Sequence, residues 1–279
     1  MPVKVQADLP VKEILESENI FVMDETRAVH QDIRPLKIMI LNLMPLKEDT
    51  ELQLLRSLSN TSFLMVASHE AKNTSTSHLN TFYVKFEDVR KNYYDGMIIT
   101  GAPVEQMEFE EVDYWDELTK IMDWTNTHVT STMCWGAQAS LYHFYGLKKR
   151  MLPEKKFGLF WHKVNNRKIP LVRGFDDEFL APHSRHTEVP IDDIRACKDV
   201  TILAESDEAG FYLGMAEEGR KIFVMGHPEY DRMTLDGEYH RDKDKGLPIE
   251  IPKNYYKNDD PNTKPVLLWR SHANNLYTN

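Results

Sequence analysis

Short apolar runs that end at turn-forming residues alternate with amphipathic segments in the first half of the chain. Residues 36–44 (LKIMILNLM) end at Pro45, and residues 94–100 (YDGMIIT) end at Gly101. Such runs are typical of strands that are buried on both faces of a parallel sheet. Because parallel strands need a crossover between them, usually a helix, the alternation predicts an α/β fold with a mostly parallel sheet flanked by helices.

The other segments extend this pattern. Helices are expected where apolar residues recur at helical spacing, and strands where they form short runs. The predicted helices are 48–59, with Leu52, Leu55 and Leu58 close to one face, 111–126 and 137–145. The further predicted strands are 128–133, 201–204, 211–215 and 221–225. From residue 231 on, a helix followed by a long surface segment is expected.

No linker is visible in the 279 residues, so a single domain over 1–279 is expected, with residues 1–35 packed on it as an N-terminal extension. The net charge of −10 argues against a nucleic-acid partner, because phosphate binding needs clustered Lys and Arg. No run of about 18 apolar residues predicts a membrane span. No signal segment is recognisable either, which favours a cytoplasmic location.

The chain has two cysteines, Cys134 and Cys197, and no CxxC pair. This excludes a thiolate zinc site and a disulfide framework, and both residues are expected to be free thiols. Cys197 lies among charged residues in IRACKDV and is interpreted as structural. His183 and His186 are three residues apart, but no third ligand is evident, so no metal site is expected.

Cys134-Trp135-Gly136 stands between a predicted strand and a predicted helix. A strand-to-helix elbow holds a nucleophile in strained backbone geometry and needs small neighbours such as Gly136 and Ala137. A thiol there faces a helix N-terminus, which favours the thiolate and offers N–H groups to an oxyanion. The alternative is that Cys134 is a core residue, since free cysteines are commonly buried.

A second candidate, His227, comes directly after the predicted strand KIFVM, in Gly226-His227-Pro228-Glu229. A histidine at a strand end with a carboxylate two positions later has what a general base and its orienting partner require. The chain contains 11 histidines, so a histidine at some strand end is expected by chance. The order Cys134, His227, Glu229 is the stronger indication of chemistry.

CWGAQ followed far downstream by GHPEY resembles the class I glutamine amidotransferase-like fold. Longer stretches resemble more specifically the homoserine O-acyltransferase family of methionine biosynthesis. Among them are DGMIITGAPVE (95–105), CWGAQASLYHFYG (134–146), EKKFG (154–158), RGFDDEFLAPHSRHTEV (173–189) and GHPEYDRMTL (226–235). The resemblance covers almost the whole chain and implies a flavodoxin-like three-layer sandwich.

The resemblance implies roles for individual residues. Cys134 would carry the acyl group as a thioester, with His227 as its base and Glu229 orienting the imidazole. The homoserine contacts would be Lys155, Ser184 and Arg241, of which the two cations suit an α-carboxylate. Glu105 and Ser184 would determine which acyl donor is accepted. A carboxylate at position 105 repels the terminal carboxylate of a succinyl group and so selects acetyl.

The expected function is therefore that of a homoserine O-acetyltransferase, which uses acetyl-CoA as a substrate and no cofactor. The first alternative is a homoserine O-succinyltransferase that uses succinyl-CoA. Two further alternatives are a glutamine amidotransferase-like hydrolase and a non-catalytic binding protein with a reactive cysteine. The sequence does not determine the oligomeric state, and a homodimer is expected only because homodimers are common.

Overall fold

The computed structural model describes residues 3–4, 9–18, 22–23, 36–58, 61–69, 73–134 and 136–279. The chain divides into two compact units, one of residues 1–136 with 219–221 and one of residues 137–218 with 222–279. That all 279 residues act as one domain remains a prediction. None of the helices in the described ranges is long and apolar enough to cross a membrane.

The first unit alternates strands and helices as the apolar runs predict. Its strands are β1 (Val3–Lys4), β2 (Val22–Met23), β3 (Ile38–Leu41), β4 (Thr61–Met65), β5 (Tyr83–Lys85), β6 (Tyr94–Ile99) and β7 (Val129–Cys134). Its helices are α1 (Val11–Ser17), α2 (Lys47–Leu55), α3 (Thr76–Phe82), α4 (Phe86–Val89) and α5 (Trp115–His128).

The main sheet of the first unit has the strand order β5-β4-β3-β6-β7. All four pairs in it are parallel, with Ile40 of β3 opposite Phe63 of β4 and Ile98 of β6. Ile40 is fully buried, and so are its strand neighbours Met39 and Leu41. The mostly parallel sheet with intervening helices is thus confirmed, and its carboxyl edge is where a site is expected.

Helix α2 and the turn after it bury two of the three predicted leucines, Leu55 and Leu58. Leu52 is half-buried, whereas Glu51, Leu54, Leu55 and Leu58 are buried. These four positions recur at the spacing of one helical face, so the geometry is that of an ordinary amphipathic helix. The prediction selected only apolar residues and therefore missed that a carboxylate belongs to the buried face.

Glu51 is kept in that position by a buried hydrogen-bond network. The Tyr83 hydroxyl donates to Glu51 Oε1 at 2.6 Å, and His78 Nε2 lies 2.9 Å from the same oxygen. The amide of Asn42 donates to the Tyr83 hydroxyl at 2.9 Å, and the Lys47 ammonium donates to the backbone carbonyl of Asn42. Burial raises the pKa of Glu51 and lowers the pKa of Lys47 to about 8.

Most of the predicted N-terminal extension over 1–35 lies outside the described residues. In the described part, α1 buries Val11 and Leu15. At its end Glu18 accepts a hydrogen bond from Nε of Arg56, which follows α2, at 2.7 Å. How the remainder of the extension packs stays a prediction.

The second unit has longer strands and fewer helices. Its strands are β8 (Arg150–Val164), β9 (Glu178–Glu188), β10 (Thr201–Ser206), β11 (Gly210–Ala216) and β12 (Lys221–Val224), the last of which begins at a residue of the first unit. Its helices are α6 (Ala137–Tyr145), α7 (Ile191–Ala196), α8 (Thr234–Asp244) and α9 (Arg270–Thr278).

The strand order in the second unit is β12-β11-β10-β8-β9. The pairs β10–β11, β10–β8 and β8–β9 are antiparallel. Sequence patterns predict β10, β11 and β12 but not the long β8–β9 hairpin. The polar residues His162, His183, Arg185 and Thr187 are buried on these two strands, which hides the usual alternation of apolar and polar residues.

The predicted surface segment after α8 is anchored by buried aromatic rings. Tyr255, Tyr256 and Trp269 belong to a buried cluster that also contains Leu235 and Tyr239 of α8. The Tyr256 hydroxyl donates to Asp236 Oδ1 at 2.6 Å. The segment therefore fixes one face of α8, which carries several of the predicted site residues.

Candidate active site

Cys134 is the last residue of β7 and pairs with Ile99 at the end of β6. Its side chain is buried, at 2% exposure. A Cβ atom on Gly136 would lie 3.1 Å from the carbonyl oxygen of Thr100, so a larger residue would crowd the turn. Helix α6 begins at Ala137. The predicted strand before the cysteine and the predicted helix after it are confirmed.

The backbone strain expected at the nucleophile stays a prediction. Among the described residues, the non-glycine residues with positive φ are Glu217, Glu218, Asn254, Asn258 and Asp259. Cys134 is not among them, and it pairs with Ile99 in the sheet. Trp135, the next residue of the turn, lies outside the described residues.

The second unit positions His227 through its backbone. Gly226 is packed so closely that a Cβ atom would lie 2.6 Å from the Tyr212 ring and 2.9 Å from the carbonyl oxygen of Pro182. The N–H of His227 donates to that carbonyl oxygen at 2.9 Å. The glycine before the histidine is therefore required by close packing rather than by a left-handed backbone.

The imidazole of His227 is oriented as a catalytic base requires. Its Nδ1 lies 2.8 Å from Glu229 Oε1, and its ring stacks on Tyr230 with centroids 4.1 Å apart. An ionised carboxylate only accepts hydrogen bonds, so this contact places a proton on Nδ1 and leaves proton transfer to Nε2. Glu229 is buried. The structure thus brings together two of the predicted catalytic residues.

Two predicted substrate contacts meet around a residue that sequence reasoning did not select, Glu238 of α8. The hydroxyl of Ser184 donates to Glu238 Oε2 at 2.5 Å, and Lys155 Nζ lies 3.5 Å from the same oxygen. The hydroxyl of Tyr230 donates to Glu238 Oε1 at 2.9 Å. Because Tyr230 also stacks on His227, this cluster adjoins the candidate base.

Arg241 joins the cluster through Asp242. Its Nε and Nη2 donate to the two Asp242 oxygens at 2.6 and 2.9 Å, and Lys155 Nζ lies 3.8 Å from Asp242 Oδ2. The hydrogen bond from Arg241 lowers the pKa of Asp242. The side chain of Arg241 is 51% exposed. The bonds to Asp242 use one edge of its guanidinium fork, and Nη1 remains for a ligand.

The spacing of Glu238, Arg241 and Asp242 contains a signal that was available in the sequence. Residues three and four apart lie on one face of a helix, so the three charged groups of α8 face the same side. A helical segment of mixed charge is commonly read as solvent-exposed. Only the contacts with Ser184 and Tyr230 show that this face belongs to a site.

Glu105 lies in the turn that follows β6 and is half-buried. With Cys134 it belongs to the first unit, whereas Lys155, Ser184, Arg241, His227 and Glu229 belong to the second. The role of Glu105 in donor choice therefore stays a prediction. Cys197 follows α7 as a half-buried free thiol.

His183 contacts a second histidine, which the sequence analysis did not predict. Its Nε2 lies 3.0 Å from Nε2 of His162, and both rings are buried. Burial lowers the pKa of both rings, that of His162 to about 3, so the pair is neutral. Among the described residues, no three His, Cys, Asp or Glu side chains are arranged to hold a metal ion.

Comparison with known proteins identifies relatives along the whole chain. Residues 2–279 match the family model described as homoserine O-succinyltransferase. A homoserine O-acetyltransferase of Agathobacter rectalis is 65% identical, over 100% of this chain and 93% of its own length. One from Lachnoclostridium phytofermentans is 66% identical, over 100% of this chain and 95% of its own length.

Solved structures show similarity in fold at low sequence identity. A glutamine amidotransferase of Methylobacillus flagellatus matches 88% of this chain and 94% of its own, with a TM-score of 0.54 and 10% identity. One from Thermotoga maritima matches 76% of this chain and 84% of its own, with a TM-score of 0.51 and 11% identity. The expected glutamine amidotransferase-like α/β fold is thereby confirmed.

Proposed function

Since the chain belongs to the homoserine O-succinyltransferase family and is a homoserine acyltransferase, we propose that Cys134 carries the acyl group and that acetyl-CoA supplies it. Relatives at 65% and 66% identity are named homoserine O-acetyltransferase, which supports acetyl over the succinyl donor in the family name. The observation that carries the proposal is the His227–Glu229 pair, stacked on the tyrosine that binds Glu238.

The proposed reaction has two half-reactions. In the first, His227 takes the thiol proton of Cys134, the sulfur attacks the acetyl carbonyl, and coenzyme A leaves with that proton. In the second, His227 takes the proton of the homoserine hydroxyl, whose oxygen attacks the thioester and releases the Cys134 thiol. Exchange of one thioester for another is nearly isoenergetic, so the cysteine can hold the acetyl group between substrates. Glu229 stabilises the imidazolium that forms in both steps.

The cluster on α8 suits the two charges of an amino acid. We propose that Glu238 accepts the α-ammonium of homoserine, because its carboxylate is already oriented by Ser184 and Tyr230. Lys155 and Arg241 would bind the α-carboxylate, the latter through its remaining N–H groups. Both charged ends of the substrate are then fixed, and its hydroxyl is the group left to react.

Glu105 is proposed to exclude the succinyl donor by like charge and bulk. At an effective dielectric constant near 20, two carboxylates about 4 Å apart repel each other by about 4 kcal/mol. Glu105→Gly is therefore expected to admit succinyl-CoA and to weaken the use of acetyl-CoA. An unchanged ratio of the two kcat/KM values would remove Glu105 from donor selection but leave the acyl-transfer proposal intact.

The proposal is tested by mass spectrometry after incubation with acetyl-CoA alone. An acetyl adduct is expected on the peptide that contains Cys134 and should disappear when homoserine is added. Cys197→Ala is the matched control, since it removes the other free thiol and should leave both observations unchanged. Cys134→Ala should lose the adduct and several orders of magnitude of transfer rate.

The rival functions give different results in the same assay. A hydrolase would release coenzyme A steadily without homoserine, and a binding protein would retain no acetyl group. Transfer that survives in Cys134→Ala would mean direct attack by homoserine. The broader setting is proposed as well: one acyltransferase domain over 1–279, in a cytoplasmic homodimer, whose O-acetylhomoserine serves methionine biosynthesis.

A further inference from the structure

A cavity of about 570 Å³ opens in the first unit where β3, β6 and β7 begin. Its lining includes Lys37, Tyr93, Asp95, Thr127, His128 and Arg220. The lining reaches Thr130 near the start of β7, whereas Cys134 ends that strand, so the rise of the strand between them places the cysteine about 13 Å from the cavity. The volume is that of a small-molecule site, and nothing in the acyl-transfer scheme uses it.

Two cations line this cavity and form no ion pair with a carboxylate of the described residues. Neither the Lys37 ammonium nor the Arg220 guanidinium forms an ion pair within the described ranges, and Arg220 Nη2 donates to the carbonyl of Asn126 at 2.7 Å. The lining also contains Asp95, which accepts the backbone N–H of Lys37 at 2.7 Å. On a chain of net charge −10, such a pair of cations favours an anionic ligand.

A stack of three aromatic rings forms one wall. The Tyr93 ring lies on His128 with centroids 4.9 Å apart and 19° between the planes, and His128 lies on Trp124 at 5.2 Å and 16°. The indole N–H of Trp124 donates to the carbonyl of Arg90 at 2.7 Å, which fixes the inner end of the stack. Tyr93 is 69% exposed, so its outer face is open to another planar ring.

We propose that this cavity binds a purine nucleotide, with the base on Tyr93 and the phosphate between Lys37 and Arg220. An inorganic anion would use only the cations, and an apolar ligand would use only the ring, whereas a nucleotide uses both. The nucleotide is either free or the adenosine end of a coenzyme A molecule, since both share this chemistry. The proposal does not depend on the proposed acyl transfer, because binding is measured without turnover.

The test is calorimetric titration of the full-length protein with ADP. Arg220→Gln and Lys37→Gln are each expected to raise Kd about tenfold or more, because each removes a charge-assisted contact with phosphate. Tyr93→Ala is expected to raise it about five- to fiftyfold through loss of stacking. Lys91→Gln, an exposed lysine outside the lining, is the matched control and should leave Kd unchanged.

Two further titrations identify the source of the nucleotide. If saturating desulfo-CoA displaces ADP from the wild type, the site holds the adenosine end of coenzyme A; if ADP binds unchanged, the ligand is a free nucleotide. Either result supports the proposal. Three results would overturn it: no ADP binding at millimolar concentration, equal Kd values for the wild type and Arg220→Gln, or pyrophosphate binding as tightly as ADP with no effect of Tyr93→Ala.

Discussion

Two glutamates, one in each unit, accept a hydrogen bond from a tyrosine but have opposite surroundings. Glu51 accepts from Tyr83 at 2.6 Å, and its side chain is 0% exposed. Glu238 accepts from Tyr230 at 2.9 Å and from Ser184 at 2.5 Å, and its side chain is 15% exposed. The first carboxylate is closed off by protein, whereas the second can still receive a ligand.

The two surroundings act differently on charge. Burial raises the pKa of Glu51 and lowers the pKa of Lys47 to about 8, so both groups are driven toward their neutral forms. In the other cluster, the hydrogen bond from Arg241 lowers the pKa of Asp242, which keeps that carboxylate charged. Perturbed pKa values alone would point to the Glu51 network, whereas the contacts of Tyr230 link the Glu238 cluster to the candidate base.

The same substitution at the two glutamates gives the largest expected contrast. Glu238→Gln keeps the shape of the side chain but removes the charge for the substrate ammonium. It should lower kcat/KM for homoserine about 100- to 1,000-fold, equivalent to about 3–4 kcal/mol. Glu51→Gln should change kcat/KM less than about threefold, since its carboxylate is fully buried among protein side chains. Steady-state kinetics of both variants measure the difference.

The rate of Cys134 acetylation by acetyl-CoA serves as the control for this pair. It should be the same in the wild type and in Glu238→Gln, because that half-reaction contains no homoserine. A slower acetylation in Glu238→Gln would assign Glu238 to the base rather than to the ammonium site. A strong kinetic effect of Glu51→Gln would erase the contrast between the two glutamates.

The buried network predicts a pH dependence of stability at Lys47. Its folded pKa of about 8 lies below the ordinary lysine pKa of 10.5, so between these pH values the unfolded chain binds more protons. The free energy of unfolding should therefore rise with pH across this window, by up to about 3 kcal/mol relative to Lys47→Met. Urea unfolding at several pH values measures it. If the free energy of unfolding changed with pH in the same way in the wild type and in Lys47→Met, the lowered pKa of Lys47 would be contradicted.

Replacement of Tyr83 should mainly lower stability and replacement of Tyr230 should mainly lower activity, both by less than the changes above. Tyr83→Phe leaves Glu51 with one partner fewer in a closed site, so it should lower the free energy of unfolding by about 1.5 kcal/mol with no change in KM. Tyr230→Phe should raise KM for homoserine about tenfold and destabilise less. Chemical denaturation and kinetics of both variants test the pair, and equal losses of stability would contradict it.

Ser184→Ala should have the smallest effect. The hydroxyl donates to Glu238, but Tyr230 continues to orient that carboxylate when the hydroxyl is lost. KM for homoserine should rise about three- to fivefold, which corresponds to about 1 kcal/mol or less. Thr187→Ala on the same strand, which removes a bond to Gln138 instead, is the comparison variant and should leave KM unchanged. If Ser184→Ala impaired the use of homoserine more than Glu238→Gln does, Ser184 rather than Glu238 would be the main contact of the substrate.

The parallel strands could be predicted from sequence because they are apolar on both faces. Residues 36–44 and 94–100 read as short buried runs, and β3 and β6 lie within them. The β8–β9 hairpin could not be predicted in this way. His183, Arg185 and Thr187 occupy its inward positions, so alternation of polarity carries no signal where the buried residues are themselves polar.

The candidate site likewise contains residues that could be predicted from the sequence and one that could not. Cys134, His227 and Glu229 could be selected because each stands at a strand end with its required neighbours close in sequence. Glu238 could not, because its role depends on Ser184 and Tyr230, which only the tertiary structure brings to it. Local geometry is encoded by neighbouring residues, whereas the assembly of a charged cluster depends on packing between distant elements.

The placement of Cys134 in the first unit and His227 in the second has a consequence during synthesis. The ribosome adds Cys134 well before it reaches His227, at about 5–20 residues per second. For several seconds, each nascent chain therefore contains Cys134 without the base proposed to activate it. If Cys134 is the proposed acyl carrier, it gains its base only late in translation, and the growing chain is expected to resist acylation at this residue.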